Sequence, residues 1–172
     1  MKNKNTVISI AGTVSESIVD GPGFRYVIFA QGCPHRCPGC HNPHTHPFEG
    51  GREISQDEIL AVIQKNPLLS GVTFSGGEPF SQAEGFAALA EKVKKIGLSV
   101  MIYTGYTFEE LTAGFDQNPG WRALLTAADI LVDGRFILSE KSLLLKFRGS
   151  ANQRILDPRK SMEAGKAIDY GV

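Results

Sequence analysis

The chain has 172 residues, with 18 basic and 18 acidic side chains and a formal net charge of zero. That length suits one domain, read as residues 1–172 with a core over about 7–156 and a polar, loose tail over 157–172. The charge balance argues against a nucleic-acid partner or a membrane surface, and no apolar run approaches the length of a transmembrane helix.

The basic segment Met1–Asn5 leads into an apolar run that is broken at Ser9 and ends at Gly12, too short and polar for a secretory signal. The expected setting is the cytoplasm, with reduced thiols. Val7–Ala11 reads as a first strand. Asp20-Gly-Pro-Gly23 is a turn, because Gly supplies positive φ and Pro fixes its own; alone, it reads as a hairpin connection. Arg25–Gln31 is rich in β-branched and aromatic residues and is a strand. Gly32 ends it, and an irregular loop runs to about Gly51.

That loop holds every cysteine: Cys33-Pro-His-Arg-Cys37-Pro-Gly-Cys40. Random placement would give such clustering on the order of one time in a hundred, so it reads as a metal site. Thiolates are soft ligands that suit an iron–sulfur cluster or zinc. An all-protein site of either kind uses four ligands, and here there are three cysteines. Either a histidine completes the set, as in structural zinc, or one metal position stays open for chemistry. His35, His41, His44 and His46 all lie in or just after the window. The alternative for them is solvated loop residues, the better reading for His44 and His46. An odd cysteine count does not suit a disulfide framework.

Further on, Ser55 and Glu58 form a capping box for a helix to about Lys65, stopped by Asn66-Pro67. Val72–Ser75 is a short buried strand running into Gly76-Gly77-Glu78-Pro79. Ser81 and Glu84 form a second candidate capping box. Phe86, Leu89, Ala90, Val93 and Ile96 recur at helical spacing, with Gly97 as the C-terminal cap. Leu98–Tyr103 is a strand followed by Thr104-Gly105. Thr107 and Glu110 repeat the capping box for a short helix ending near Gly114. A further helix spans about Trp121–Ala127. Asp129–Val132 is a strand leading into Asp133-Gly134-Arg135, and a last strand ends near Leu156.

Alternating short strands and capped helices predict an α/β fold. The expectation is a mainly parallel open sheet or small partial (β/α) barrel, of about five to six strands with crossover helices. Crossovers are right-handed, so strand ends segregate. The cysteine loop, Gly76-Gly77-Glu78, Thr104-Gly105 and Asp133-Gly134-Arg135 then share the carboxyl-end rim, where ligands bind in parallel α/β proteins. Adjacent glycines let backbone approach a ligand, and Glu78 could bind an ammonium group. A plain strand-to-helix turn is the competing reading. Asp133 and Arg135 are either a surface pair or holders of a ligand's hydroxyls or carboxylate.

These residues carry a resemblance. Cys33-x3-Cys37-x2-Cys40 has the spacing of radical S-adenosylmethionine enzymes, and Ser75-Gly-Gly-Glu-Pro79 is similar to their motif for the methionine amino group. Asp20-Gly-Pro-Gly23 resembles the glycyl-radical-enzyme activases. Pro38-Gly-Cys-His-Asn42, Tyr103-Thr-Gly-Tyr106, Leu131-Val-Asp-Gly-Arg-Phe136 and Arg148-Gly-Ser-Ala-Asn-Gln153 are similar to the subfamily that serves anaerobic ribonucleoside-triphosphate reductase. The resemblance implies one [4Fe-4S] cluster with three irons held by Cys33, Cys37 and Cys40, and the fourth chelated by S-adenosyl-L-methionine. Ser75, Gly76, Gly77 and Glu78 would hold the methionine end, and Gly39, Cys40 and His41 would meet the adenine. Asp133 and Arg135 are further carry-overs. The partners implied are the large, glycyl-radical subunit of the reductase and an external one-electron donor such as a flavodoxin, with no nucleic acid and no membrane. Pyruvate formate-lyase is an alternative target, and a zinc-stabilised binding module is the alternative from another class. Gly39 departs from the aromatic residue that many superfamily members carry before the third cysteine.

Overall fold

The computed structural model describes residues 7–172; the basic segment Met1–Asn5 lies outside the described residues. In chain order the elements are β1 (Val7–Ser17), β2 (Arg25–Ala30), β3 (Arg52–Ser55), α1 (Gln56–Gln64), β4 (Gly71–Gly76), α2 (Ala83–Lys95), β5 (Ser99–Tyr103), α3 (Phe108–Ala113), α4 (Trp121–Ala127), β6 (Ile130–Asp133), β7 (Arg154–Leu156) and α5 (Pro158–Ala164). The strands form one sheet in the order β3-β1-β2-β4-β5-β6-β7. Its centre, β2-β4-β5-β6, is parallel, while β1 and β3 on one side and β7 on the other pair antiparallel.

The expected α/β class and parallel centre are present, but the sheet has seven strands rather than five to six. The extra strand is β3, in the stretch between the loop that ends near Gly51 and the Ser55 cap. It pairs with the outer edge of β1, and its exposed Arg52 and Glu53 suit a sheet edge. β1 also runs on to Ser17, beyond the expected Ala11.

Alternation along each parallel strand sorts residues to two faces. Tyr26, Ile28 and Ala30 of β2, Val72 and Phe74 of β4, and Val100 and Ile102 of β5 join the main core. Ile59 and Ile63 of α1, Phe86, Leu89 and Val93 of α2, and Leu124 and Leu125 of α4 belong to the same core. The helices therefore cover one face, as same-handed crossovers require. The opposite face carries a smaller cluster of Met101, Ile130, Val132 and Ile155, with Tyr103 and Phe147 against it.

The capping boxes at Ser55–Glu58 and Thr107–Glu110 are both formed. The one expected at Ser81–Glu84 is not. A 3-10 turn over Pro79–Gln82 precedes α2 and is capped by Glu78, whose carboxylate accepts from the Phe80 N–H. Gln82, at the N-cap of α2, spends its side chain on the backbone of Ser9 and Gln31. The segment expected to be a loose tail forms α5: Asp157 caps it, Pro158 occupies the first turn and Gly165 ends it at φ +67°.

Candidate functional site

The sheet places the special turns together. The cysteine loop follows β2, Gly76-Gly77-Glu78 closes β4, Thr104-Gly105 follows β5, and Asp133-Gly134-Arg135 closes β6. These four strands are parallel neighbours, so all four turns lie on one rim.

The cysteine loop is tied at its base. The N–H of Gly32 donates to the Thr45 carbonyl at 2.7 Å and that of Cys33 to the His46 carbonyl at 3.0 Å. The Gln31 side-chain amide donates to the carbonyls of Pro47 and His44. His44 and His46 thus serve the loop through their backbones. Cys33 is buried, and Cys37 and Cys40 are partly exposed; all three are free thiols. Burial pushes the Cys33 thiol up, against the pull of the backbone N–H groups of His35 and Arg36. The Asn42 N–H donates to Cys40 Sγ at 3.4 Å.

Among the described residues, no three His, Cys, Asp or Glu side chains gather as they would around one metal ion. The donor set is three soft sulfurs spread along one loop, with no side chain among the described residues converging as a fourth ligand. Such a set fits a cluster, whose thiolates bind different irons, better than a single zinc ion. Gly39 adopts φ +75°, and a Cβ there would approach Leu138 Cδ1 to 2.8 Å. The departure at Gly39 therefore has a local cause: the backbone is left-handed and Leu138 occupies the space.

Two cavities flank Phe136. One, of about 420 Å³, is lined by Cys40, His41, Ser75, Asp20, Tyr103 and Arg148, among others. The other, of about 580 Å³, is lined by His35, Cys37, Asp133, Arg135, Glu109 and Arg154, among others. The expected site residues are therefore divided. Cys40, His41 and Ser75 face the first cavity, and Asp133 and Arg135 face the second. His41 is exposed and its ring tilts against Phe136 at 5.0 Å.

Asp133 and Arg135 do not pair with each other. Asp133 is buried and accepts from the Phe108 N–H at 2.7 Å, and its other partner is Arg154. Arg154 also bonds Glu109. Arg135 pairs with Glu110 at 3.2 Å in the open. This corrects the surface-pair reading: Asp133 is committed to the start of α3 and to Arg154, a partner some twenty residues further along the chain.

The glycine pair has two distinct reasons. Gly76 has φ +85°, and a Cβ would lie 2.6 Å from Phe29 Cα. Gly77 is crowded instead: a Cβ would run into the Gly32 carbonyl and lie 2.8 Å from that of Ala30. Glu78 has no exposure at all. Its carboxylate accepts from Thr104 Oγ1 at 2.9 Å, the Gly105 N–H at 2.9 Å and the Phe80 N–H at 3.0 Å, and it lies 2.7 Å from His35 Nε2. It faces protein donors, not an open ammonium site.

The hairpin reading of Asp20-Gly-Pro-Gly23 holds, since β1 and β2 are antiparallel neighbours. Its loop is also tied to β4. Thr73 Oγ1 donates to the Asp20 carbonyl at 2.7 Å and accepts from Arg25 Nε at 2.8 Å. Asp20 reaches the Cys40 cavity, a placement that the motif alone does not disclose.

Comparison with known proteins agrees with this geometry. A family model described as a 4Fe-4S single cluster domain matches residues 19–156. The anaerobic ribonucleoside-triphosphate reductase-activating protein of Vibrio cholerae is 35% identical over 147 residues, covering 80% of this chain and 90% of that one. The chain belongs to this family of radical S-adenosylmethionine activases. The Escherichia coli activating protein is 32% identical over 145 residues, covering 79% and 90%. The pyruvate formate-lyase-activating enzyme of Clostridium pasteurianum is 41% identical over 100 residues, covering 55% of this chain and 42% of that one. For this family member the 4Fe-4S match decides between cluster and zinc in favour of the cluster. No helix among the described residues is long and apolar enough to cross a membrane.

Proposed function

We propose that this protein is the activase of anaerobic ribonucleoside-triphosphate reductase, and that it generates a glycyl radical on the large subunit of that enzyme. Cys33, Cys37 and Cys40 would hold one [4Fe-4S] cluster, and S-adenosylmethionine would occupy the cavity beside Cys40 and Ser75. When bound and reduced, the cluster would supply the single electron for reductive cleavage of S-adenosylmethionine, the chemistry by which a hydrogen atom would be removed from a glycine Cα of the partner. The observation that carries this reading is the placement of a three-cysteine loop and a cavity of about 420 Å³ on one rim of a parallel sheet.

The chain's own residues position the ligands. Gly76 and Gly77 bring the turn after β4 against the base of the cysteine loop, so Ser75 and Cys40 line one cavity. Ser75 and the backbone of this turn are then the groups offered to the methionine end. Glu78, expected at the ammonium, supports the turn from behind because its carboxylate is buried among protein donors. Asp133 and Arg135 bear on the second cavity and on the docking of α3. Backbone at Gly39–His41 would meet the adenine, with Gly39 left-handed at φ +75°.

A radical must be shielded from water, and a chain of this size has little material for a lid. The loop over residues 41–51 and the segment 148–154 border the mouth and would be covered by the reductase. Leu143 and Leu144, 91% and 96% exposed in the run before cavity-lining Leu145, give that face an apolar edge. The electron would come from an external donor such as a flavodoxin, in the cytoplasm.

The test mixes reduced protein, S-adenosylmethionine and anaerobic ribonucleotide reductase without oxygen. A glycyl-radical doublet in the paramagnetic resonance spectrum is the expected result. Cleavage of S-adenosylmethionine with no such signal, but a signal on pyruvate formate-lyase, would move the partner to the second enzyme. The 100-residue match to its activase makes that the second reading.

A further inference from the structure

His35 lies between Cys33 and Cys37, yet its ring does not point to solvent. Its side chain is 5% exposed and that of Glu78 is 0% exposed, with Nε2 and Oε2 2.7 Å apart. A carboxylate can only accept, so Nε2 carries the proton and donates it. The ring also meets Tyr106 edge-on at 4.5 Å between centroids, and a Cβ on Gly105 would run into it. Three of the four rim turns thus converge on one carboxylate: His35 from the cysteine loop, Thr104 and Gly105 from the turn after β5, and Glu78 from the turn after β4.

We propose that His35 is a positioning residue that latches the cysteine loop onto Glu78, setting where Cys33 and Cys37 stand relative to Ser75. The proposal rests on reading these cysteines as cluster ligands. A second-layer partner that fixes a ligand loop is a recurring need of metal sites, since ligands on irregular backbone drift unless held. The alternative in which His35 is itself a metal ligand through Nε2 is closed by the bond to Glu78. A mere space-filling role would need neither the donor nor its buried acceptor. The latch is also asymmetric. Without His35, Glu78 keeps Thr104, Gly105 and Phe80 as donors, so the rim survives its loss; without Glu78, the His35 ring has no other hydrogen-bond partner among the described residues.

The experiment uses full-length, iron-reconstituted protein under anaerobic conditions, with three single variants and one double variant. His35→Phe fills the volume without a donor. His35→Gln keeps an N–H near the Nε2 position. Glu78→Gln replaces an all-acceptor group with one that sets an NH₂ against the Gly105 or Phe80 N–H. Hydrogen exchange of the residue 33–40 amides, read against those of β2, is expected to rise about tenfold in His35→Phe, the factor that loss of one charge-assisted bond gives a local opening. The resonance spectrum of the reduced cluster, with and without S-adenosylmethionine, is expected to shift in His35→Phe and to return toward wild type in His35→Gln. Adding Glu78→Gln to His35→Phe should accelerate loop exchange no further. Wild-type exchange and spectrum in His35→Phe would overturn the latch, as would additive effects in the double variant. Failure of wild-type protein to take up iron would sink the cluster reading, and the exchange comparison would still decide the latch.

Discussion

The backbone N–H of Glu78 donates to the carbonyl of Gly32 across 2.8 Å, and one residue earlier Gly77 does the same to Ala30 at 2.8 Å. Two rungs thus continue the β2–β4 ladder past its end and join the Gly-Gly-Glu turn to the residue before Cys33. Gly77 has an ordinary φ, so what it lacks is space. Gly77→Ala would force a Cβ onto the Gly32 carbonyl, and backbone cannot swing aside as a side chain can. The expected cost is about 1–3 kcal/mol, in the range of overpacking, together with reduced iron uptake. Iron per chain and the thermal midpoint check it; wild-type values for both would show that the turn shifts freely.

Replacing any one of Cys33, Cys37 and Cys40 by Ala is expected to remove the visible absorption of the cluster and all radical generation. The assignment gives the cluster three protein thiolates, so each one is needed. His44→Ala and His46→Ala should keep full iron content, because the loop uses only their backbone carbonyls. Iron analysis after anaerobic reconstitution separates the two groups. A histidine variant as iron-poor as a cysteine variant would refute the assignment.

Arg25 is 1% exposed and bonds only neutral acceptors: Thr73 Oγ1, Ser99 Oγ and the carbonyls of Pro22, Val72 and Ser99. Burial lowers its pKa to about 10. Arg25→Ala would strand several buried acceptors at once, at a cost of about 3 kcal/mol or more. Arg25→Lys should recover little, since an ammonium cannot span acceptors arranged for a planar fork. Denaturant midpoints of both variants test this, and a Lys variant as stable as wild type would contradict it.

Hydrogen bonds from Arg154 hold the Glu109 carboxyl below its usual range. The folded pKa lies below the unfolded one, about 4.3 for a free glutamate. The pair's contribution is therefore present above that value and is lost as pH falls through the lowered folded value. Glu109 is 58% exposed, so solvent screening limits the contribution to no more than about 1 kcal/mol. Glu109→Gln is expected to melt slightly below wild type at pH 7, and the difference is expected to vanish once the pH has fallen through the lowered folded value. A difference that persists unchanged at low pH would assign it to packing instead of charge.

The parallel centre of the sheet was legible because each strand is a short β-branched run followed by a cap or glycine. The rim was legible because special turns recur after each strand. What escaped had physical reasons. β3 is four residues long with two charged side chains, a pattern that edge strands share with loops. The end of the chain looks polar, yet Asp157-Pro158 and Gly165 are start and stop signals for α5 that composition obscured. The pairing of Asp133 with Arg154 and of His35 with Glu78 joins residues 21 and 43 positions apart. No local pattern reports such distances, and the buried carboxylates could have been exposed ones on sequence alone.

From β2 onward, strand order across the sheet is also chain order, β2-β4-β5-β6-β7. During synthesis each emerging strand can dock on an edge that is already laid down, without waiting for a later segment to slip between earlier neighbours. The cysteines leave the ribosome long before their support does: Glu78 follows Cys40 by 38 residues, and Thr104 and Gly105 come later still. The nascent loop therefore has its thiols before it has the carboxylate and the turn that hold it in place.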